Sequence, residues 1–144
     1  MATSDRTSSR PATRSSPRGQ PWILVVDDEP AIQNMLRAIL EEEGWRVEVA
    51  GGAKAASALI DSAALPPDVM VCDVLMPGMD GFEFSRRMLV RLPELRIIFI
   101  SGHVLDVSWW PEDLREHQFL TKPFDNEALV AAVKDARRDD GKRT

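Results

Sequence analysis

Four short apolar runs in this chain each stop at a residue able to do polar chemistry. Trp22–Val26 ends at Asp27-Asp28, Val69–Cys72 at Asp73 and Ile97–Ile100 at Ser101, while Phe119-Leu120 leads through Thr121 to Lys122. Three carboxylates gathered in one place repel, and their joint ionisation is costly without a cation. An all-oxygen donor set prefers a hard ion, and Mg2+ suits a site that keeps several waters and later takes a phosphoryl group. Lys122 adds a compact positive charge and Ser101 a hydroxyl donor, both suited to phosphoryl oxygens. A carboxylate attacking phosphorus needs such neutralisation, because phosphoryl transfer is catalysed largely by positioning and electrostatics.

Taken singly, each of these residues has an ordinary structural reading. Asp27-Asp28-Glu29 suits the positive end of a helix, Asp73 suits a turn, Ser101-Gly102 a loop, and Lys122 a solvated surface. Their joint placement at strand ends is what argues for a site. In an open α/β sheet, ligands bind outside the carboxyl ends of the strands. A parallel sheet brings four such ends to one edge.

The intervening sequence supplies that sheet. After the first strand, Pro30 stands where a first helical turn tolerates it. Ile32, Met35, Leu36, Ile39 and Leu40 then follow at helical spacing, and Gly44 is placed to stop the helix. Val47–Ala50 reads as a second strand and Ala55–Ala64 as a second helix ended by Pro66-Pro67. A loop over Met76–Gly81 leads into a helix from Phe82 to Val90, which Pro93 closes. Asp125 caps a last helix with Leu129, Val130 and Val133 on its buried stripe. Successive β-α units of this kind predict a parallel sheet with helices on both faces.

Composition sets the outer bounds. With 144 residues, 44% hydrophobic and 28% charged, the chain is sized for one soluble domain. No apolar run approaches the roughly 18 residues of a membrane span. The single cysteine, Cys72, excludes a disulfide framework and a Cys-rich zinc site, and a cytoplasmic setting is expected. The formal net charge is −5, yet residues 1–20 carry Arg6, Arg10, Arg14 and Arg18 against Asp5 alone. The acidic surplus therefore lies in the body of the chain, which argues against a nucleic-acid groove there. The Ser/Pro-rich stretch 1–20 reads as a disordered basic leader without a secretory apolar core. The domain is expected over 21–138, with a disordered polar tail over 139–144.

Four segments carry a resemblance: Val25-Val26-Asp27-Asp28-Glu29-Pro30, the stretch from Val71-Cys72-Asp73 through Met76-Pro77-Gly78-Met79-Asp80-Gly81, Ile98-Phe99-Ile100-Ser101-Gly102-His103, and Phe119-Leu120-Thr121-Lys122-Pro123-Phe124. In order and spacing the chain resembles the response-regulator receiver family of two-component signalling, in its stand-alone, CheY-like form. The resemblance implies a flavodoxin-like, doubly wound five-stranded sheet of strand order 2-1-3-4-5. It implies that Asp73 accepts phosphate from a phosphohistidine on a sensor kinase or phosphotransfer protein. Asp28, Asp73 and the Leu75 backbone carbonyl would hold Mg2+ directly and Asp27 through water, while Ser101 and Lys122 would bind phosphoryl oxygens. Ser101 and Phe119 would form the switch, remodelling the surface around the fourth and fifth helices for a downstream protein, with phosphorylation-dependent homodimerisation as another output. The Lys122-Pro123 bond would be cis, and Leu75 and His103 stand at positions that resemble the family's sites for tuning phosphate lifetime, although His103 by itself reads first as a solvated loop histidine.

The clearest departure from the family lies in Val104–His117. A regular fourth helix is usual there, followed by a small pair before the last strand; here Trp109-Trp110-Pro111 and Glu116-His117 stand instead. A tryptophan pair more often packs than binds, yet at least one of Trp109 and Trp110 is expected at a partner interface, since tryptophan is enriched at binding hot spots. An aspartate-nucleophile phosphohydrolase is disfavoured because Leu75, not a second acid, follows Asp73 by two residues. A module that works without phosphate is disfavoured because every polar position is kept. A DNA-binding output domain is not expected in the short polar stretch after the last helix.

Overall fold

The computed structural model describes residues 21–76, 78–102 and 110–142. The expectations for the basic leader, His103 and Trp109 lie outside the described residues.

Five strands build one parallel sheet: β1 (Trp22–Val26), β2 (Arg46–Ala50), β3 (Val69–Asp73), β6 (Arg96–Ser101) and β7 (Gln118–Thr121), in the order β2-β1-β3-β6-β7. Counted within this sheet the order is 2-1-3-4-5. Continuous apolar runs make such strands because both faces are covered. Alternate residues of β1 serve opposite layers. Trp22, Leu24 and Val26 pack with α2 (Ala53–Ser62) and α3 (Gly81–Arg91). Ile23 and Val25 pack with α1 (Pro30–Glu42) and α4 (Asn126–Lys142).

The helices begin where local chemistry directs. Pro30 opens α1, whose buried stripe narrows to Leu36, Ile39 and Leu40; Met35, at the right spacing, is 40% exposed. Asp80 caps α3 by accepting the Phe82 N–H at 2.8 Å, and Asp125 caps α4 through Ala128 N–H at 2.7 Å. The stretch expected as a loop before α3 is instead a small antiparallel hairpin, β4 (Leu75–Met76) with β5 (Met79–Asp80). Gly78 has φ +74, a conformation that glycine alone takes without strain.

Two further differences concern the C-terminal half. Helix α4 continues to Lys142, past residue 138 where a polar tail was expected. Extending a formed helix costs far less than starting one, so a packed first half carries polar residues onward. Between β6 and β7 the described residues hold only a 3₁₀ turn, Glu112–Leu114, tied to α3 by Arg86 Nε–Asp113 Oδ2 at 2.9 Å. Trp110 is engaged inside the fold here. Its indole N–H donates to Leu114 O at 3.2 Å, and its ring lies 5.0 Å from that of Phe119. His117, buried just before β7, accepts the Ile97 N–H on Nδ1 at 3.1 Å and meets the Phe99 ring edge-on. It thereby extends the edge pairing of β6 where the backbone ladder with β7 has not yet begun.

Candidate functional site

The carboxyl ends of β1, β3, β6 and β7 lie along one edge, and β1 is paired with β2 on one side and β3 on the other. The connection reverses direction between β2 and β3, and the crevice of a doubly wound sheet opens at such a point. Asp27 and Asp28 stand on one side of it and Asp73 on the other.

Asp27 is fully buried and held at every polar atom that positions it. Its N–H donates to Ala50 O at 3.1 Å, which continues the pairing of β1 with β2. Its Oδ1 accepts the Glu29 N–H at 2.9 Å, and its backbone carbonyl accepts Gln33 Nε2 at 2.6 Å. A short Asx turn thus converts strand into helix and leaves Oδ2 facing the crevice. Asp28 is exposed. One carboxylate oxygen each from Asp27, Asp28 and Asp73 falls within 4.8 Å of the others. Such an oxygen-only set fits a hard divalent cation.

Asp73 is 5% exposed. Its Oδ1 accepts the Leu75 N–H at 3.1 Å, and Val74 N–H bonds Ile100 O at 2.9 Å, so the chain turns immediately after the aspartate. Burial raises the Asp73 pKa above the ordinary carboxylate value. The Leu75 N–H and Lys122 oppose that shift, and the charges of Asp27 and Asp28 add to it. The attraction to Lys122 alone would lower it; desolvation wins because the carboxyl is almost wholly buried.

Lys122 is placed by β7. Its N–H bonds Ser101 O at 2.7 Å, and the Lys122-Pro123 peptide is cis, as the resemblance implies. Its Nζ lies 3.5 Å from Asp27 Oδ2, 3.6 Å from Asp73 Oδ2 and 3.6 Å from Glu29 Oε1. Partial burial pulls the ammonium pKa down, but Asp27, Asp73 and Glu29 outweigh it, and the net shift is upward. The lysine therefore stays charged.

The remaining expected residues surround this group. Ser101 ends β6 in register with Thr121 and is fully buried. Leu75 opens the hairpin and is 57% exposed, an apolar side chain standing beside the acidic crevice. Phe119 sits on β7, at the edge of the sheet beside β6, in register with Phe99 and half-buried beneath Trp110.

Three contributors were not legible as site residues in the sequence. Glu29 reads as a helix-start acid, yet it reaches Lys122. Gln33 reads as a polar residue of α1, yet it holds the Asp27 carbonyl. Gly81 reads as the end of a turn, yet a side chain there would strike the Asp73 carbonyl oxygen and come within 2.8 Å of Val74 Cα. Only the glycine in the Met79-Asp80-Gly81 turn signalled a close approach, and its target was hidden.

Comparison with known proteins agrees with this geometry. Residues 23–134 match the response regulator receiver domain. The chain is 36% identical over 118 residues to transcriptional regulatory protein TrcR of Mycobacterium tuberculosis, covering 78% of this chain and 43% of that protein. An uncharacterized 14.6 kDa protein of Leptolyngbya boryana is 38% identical over 115 residues, 77% of this chain and 86% of its own length. Several curated relatives are much longer: the chain spans 50% of AruR and 25% of DctD, both of Pseudomonas aeruginosa. Among solved structures, a CheY-like receiver domain protein from Methanospirillum hungatei superposes with a TM-score of 0.77 at 25% identity, covering 88% of this chain and all of that one. Vibrio cholerae CheY4 superposes with a TM-score of 0.68 at 29% identity, over 82% and 99% of the two chains. A match over most of the chain, on the fold and sheet edge described above, makes it a member of the response regulator receiver domain family.

Proposed function

We propose that this chain is a phosphoacceptor of a two-component phosphorelay, taking a phosphoryl group onto Asp73 from a phosphohistidine donor. One observation carries the proposal: the Lys122 ammonium stands 3.6 Å from Asp73 and 3.5 Å from Asp27, with Asp28 on the same edge. An Asp73 oxygen attacks phosphorus as the bond to the imidazole nitrogen breaks. That nitrogen leaves with the electron pair and takes a proton, and the product is an acyl phosphate. Lys122 and the Ser101 hydroxyl bind the phosphoryl oxygens, and Asp27 keeps the lysine at the crevice. Asp27, Asp28 and Asp73, with the Leu75 carbonyl, are the residues to hold Mg2+, which neutralises phosphoryl charge when bound.

Receiver domains are signalling modules rather than metabolic enzymes, and output here goes through partner binding. Movement of Ser101 toward the phosphoryl group frees space on the β6–β7 side, where Phe119 lies, so the surface between β6 and α4 is the one that changes. The donor is a sensor histidine kinase or phosphotransfer protein, and the receiver of the signal is a downstream protein.

Incubation with Mg2+ and acetyl phosphate tests this directly. The expected result is an acid-stable, base-labile mass gain of one phosphoryl group, abolished in Asp73→Asn. No gain in the wild type, or a gain that persists in Asp73→Asn, overturns the reading.

A further inference from the structure

Lys122 is shared by three carboxylates, and the family's polar set assigns a role to only two of them. The third, Glu29, sits at the N-cap of α1 with φ −97 and ψ 115, the extended geometry from which a side chain caps a helix. Its side chain makes no capping hydrogen bond, and no other acid occupies the first turn. The carboxylate is turned instead toward Lys122, at 3.6 Å. The backbone of Glu29 is fixed without help from the side chain, by its N–H on Asp27 Oδ1 at 2.9 Å and by Gln33 N–H on its carbonyl at 3.0 Å.

We propose that Glu29 is a positioning residue that holds Lys122 in the unphosphorylated protein and competes with phosphoryl oxygens for it, so that it sets how readily Asp73 is loaded. The proposal rests on the reading of Asp73 as the phosphoacceptor. Of the three carboxylates around the ammonium, Asp27 is fully buried and Asp73 nearly so, and both are anchored by backbone N–H groups. The Glu29 side chain is 63% exposed and anchored by nothing else described. It is therefore the carboxylate that can leave Lys122 without disturbing the fold. An incoming phosphoryl group brings a charge of about −1.5 to −2. Lys122 then turns to the phosphoryl oxygens, and Glu29 loses its partner while gaining an anionic neighbour. Both consequences disfavour the loaded state relative to a neutral residue at this position.

The size of the effect follows from exposure. A solvent-exposed ion pair shifts an equilibrium by roughly 1.5- to 5-fold. Glu29→Gln is therefore expected to bind beryllofluoride with Mg2+, a stable mimic of the phosphoryl group, about 2- to 5-fold more tightly than wild type. Labelling by acetyl phosphate should quicken in the same sense. Raising salt from about 0.05 to 0.5 M should shrink the difference, because exposed pairs are screened beyond a shorter Debye length. Glu29→Asp should behave like Glu29→Gln, since the shorter side chain favours the vacant capping position. Glu42→Gln, a charge-neutralising control at the far end of α1, should leave beryllofluoride binding unchanged.

Equal or weaker beryllofluoride binding by Glu29→Gln overturns the proposal. So does a fall in Mg2+ affinity in that variant, which would make Glu29 a partner of the metal's water shell instead. If wild type takes no phosphoryl group at all, the phosphoacceptor reading falls, and this role falls with it. If wild type is labelled and Glu29→Gln matches it, only the role of Glu29 is lost.

Discussion

Replacing Gly81 by alanine probes the turn that fixes Asp73, the proposed phosphoacceptor. Gly81 opens α3 with an ordinary backbone, so alanine meets no conformational objection there. The obstacle is steric: its Cβ would strike the Asp73 carbonyl oxygen and lie 2.8 Å from Val74 Cα and 3.0 Å from Val74 O. These are backbone atoms and cannot swing aside as a side-chain tip would. Asp73 is in the ladder with β6, Val74 N–H bonds Ile100 O at 2.9 Å, and Gly81 N–H bonds Val74 O at 2.8 Å. Overpacking of this kind costs about 1–3 kcal/mol, and weakening the Gly81–Val74 bond adds about 1 kcal/mol. The loss of unfolded-chain freedom returns about 0.4–1 kcal/mol. The net destabilisation is about 1.5–3 kcal/mol, a fall in Tm of roughly 6–12 °C for a domain of this size. Urea and thermal unfolding measure it, and acetyl phosphate labelling should slow in the folded variant because the Asp73 backbone is what must yield. Gly52→Ala is the control: Gly52 is extended, and nothing lies within 4 Å of a Cβ there. A Gly81→Ala protein as stable as wild type, or more stable in the manner of an unhindered glycine-to-alanine change, refutes the close approach.

Other consequences are as direct. The folded state raises the Asp73 pKa, so this group favours folding while protonated and opposes it once ionised. Stability measured against pH should therefore show Asp73→Asn gaining on the wild type as pH rises through the ordinary carboxylate range to the raised pKa; parallel curves would contradict the burial cost. Mg2+ should raise the unfolding free energy by about 2.7 kcal/mol at a hundredfold excess over its Kd, and Asp28→Asn should lose most of that gain in a thermal-shift titration. Burial pushes the Cys72 thiol up to about 12, so at a pH of about 8 an aromatic disulfide reagent should react only after denaturant exposes it.

Much of this molecule is legible in its sequence. Residue types at the strand ends named Asp27, Asp28, Asp73, Ser101 and Lys122. Apolar runs too short for helices and helical stripes between them required a parallel sheet, because strands buried on both faces carry no alternation. The order 2-1-3-4-5 came from family resemblance rather than periodicity, which constrains each element but not its neighbours. Tertiary structure decided what depends on three-dimensional proximity. Lys122 and Asp27 are 95 residues apart in sequence, and only the pairing of β1, β3, β6 and β7 sets them 3.5 Å apart. Glu29, Gln33 and Gly81 have unremarkable local sequence roles, and their work becomes visible only when a side-chain end or a missing Cβ is seen against a distant backbone. Trp110 is another such case: its sequence leaves packing and partner contact both open, and only the fold brings its indole to Leu114 O and over Phe119. Local sequence determines which groups are present and how each segment is disposed to fold. Long-range packing determines which of those groups meet, because contact energies act over a few ångströms in space and take no account of separation along the chain.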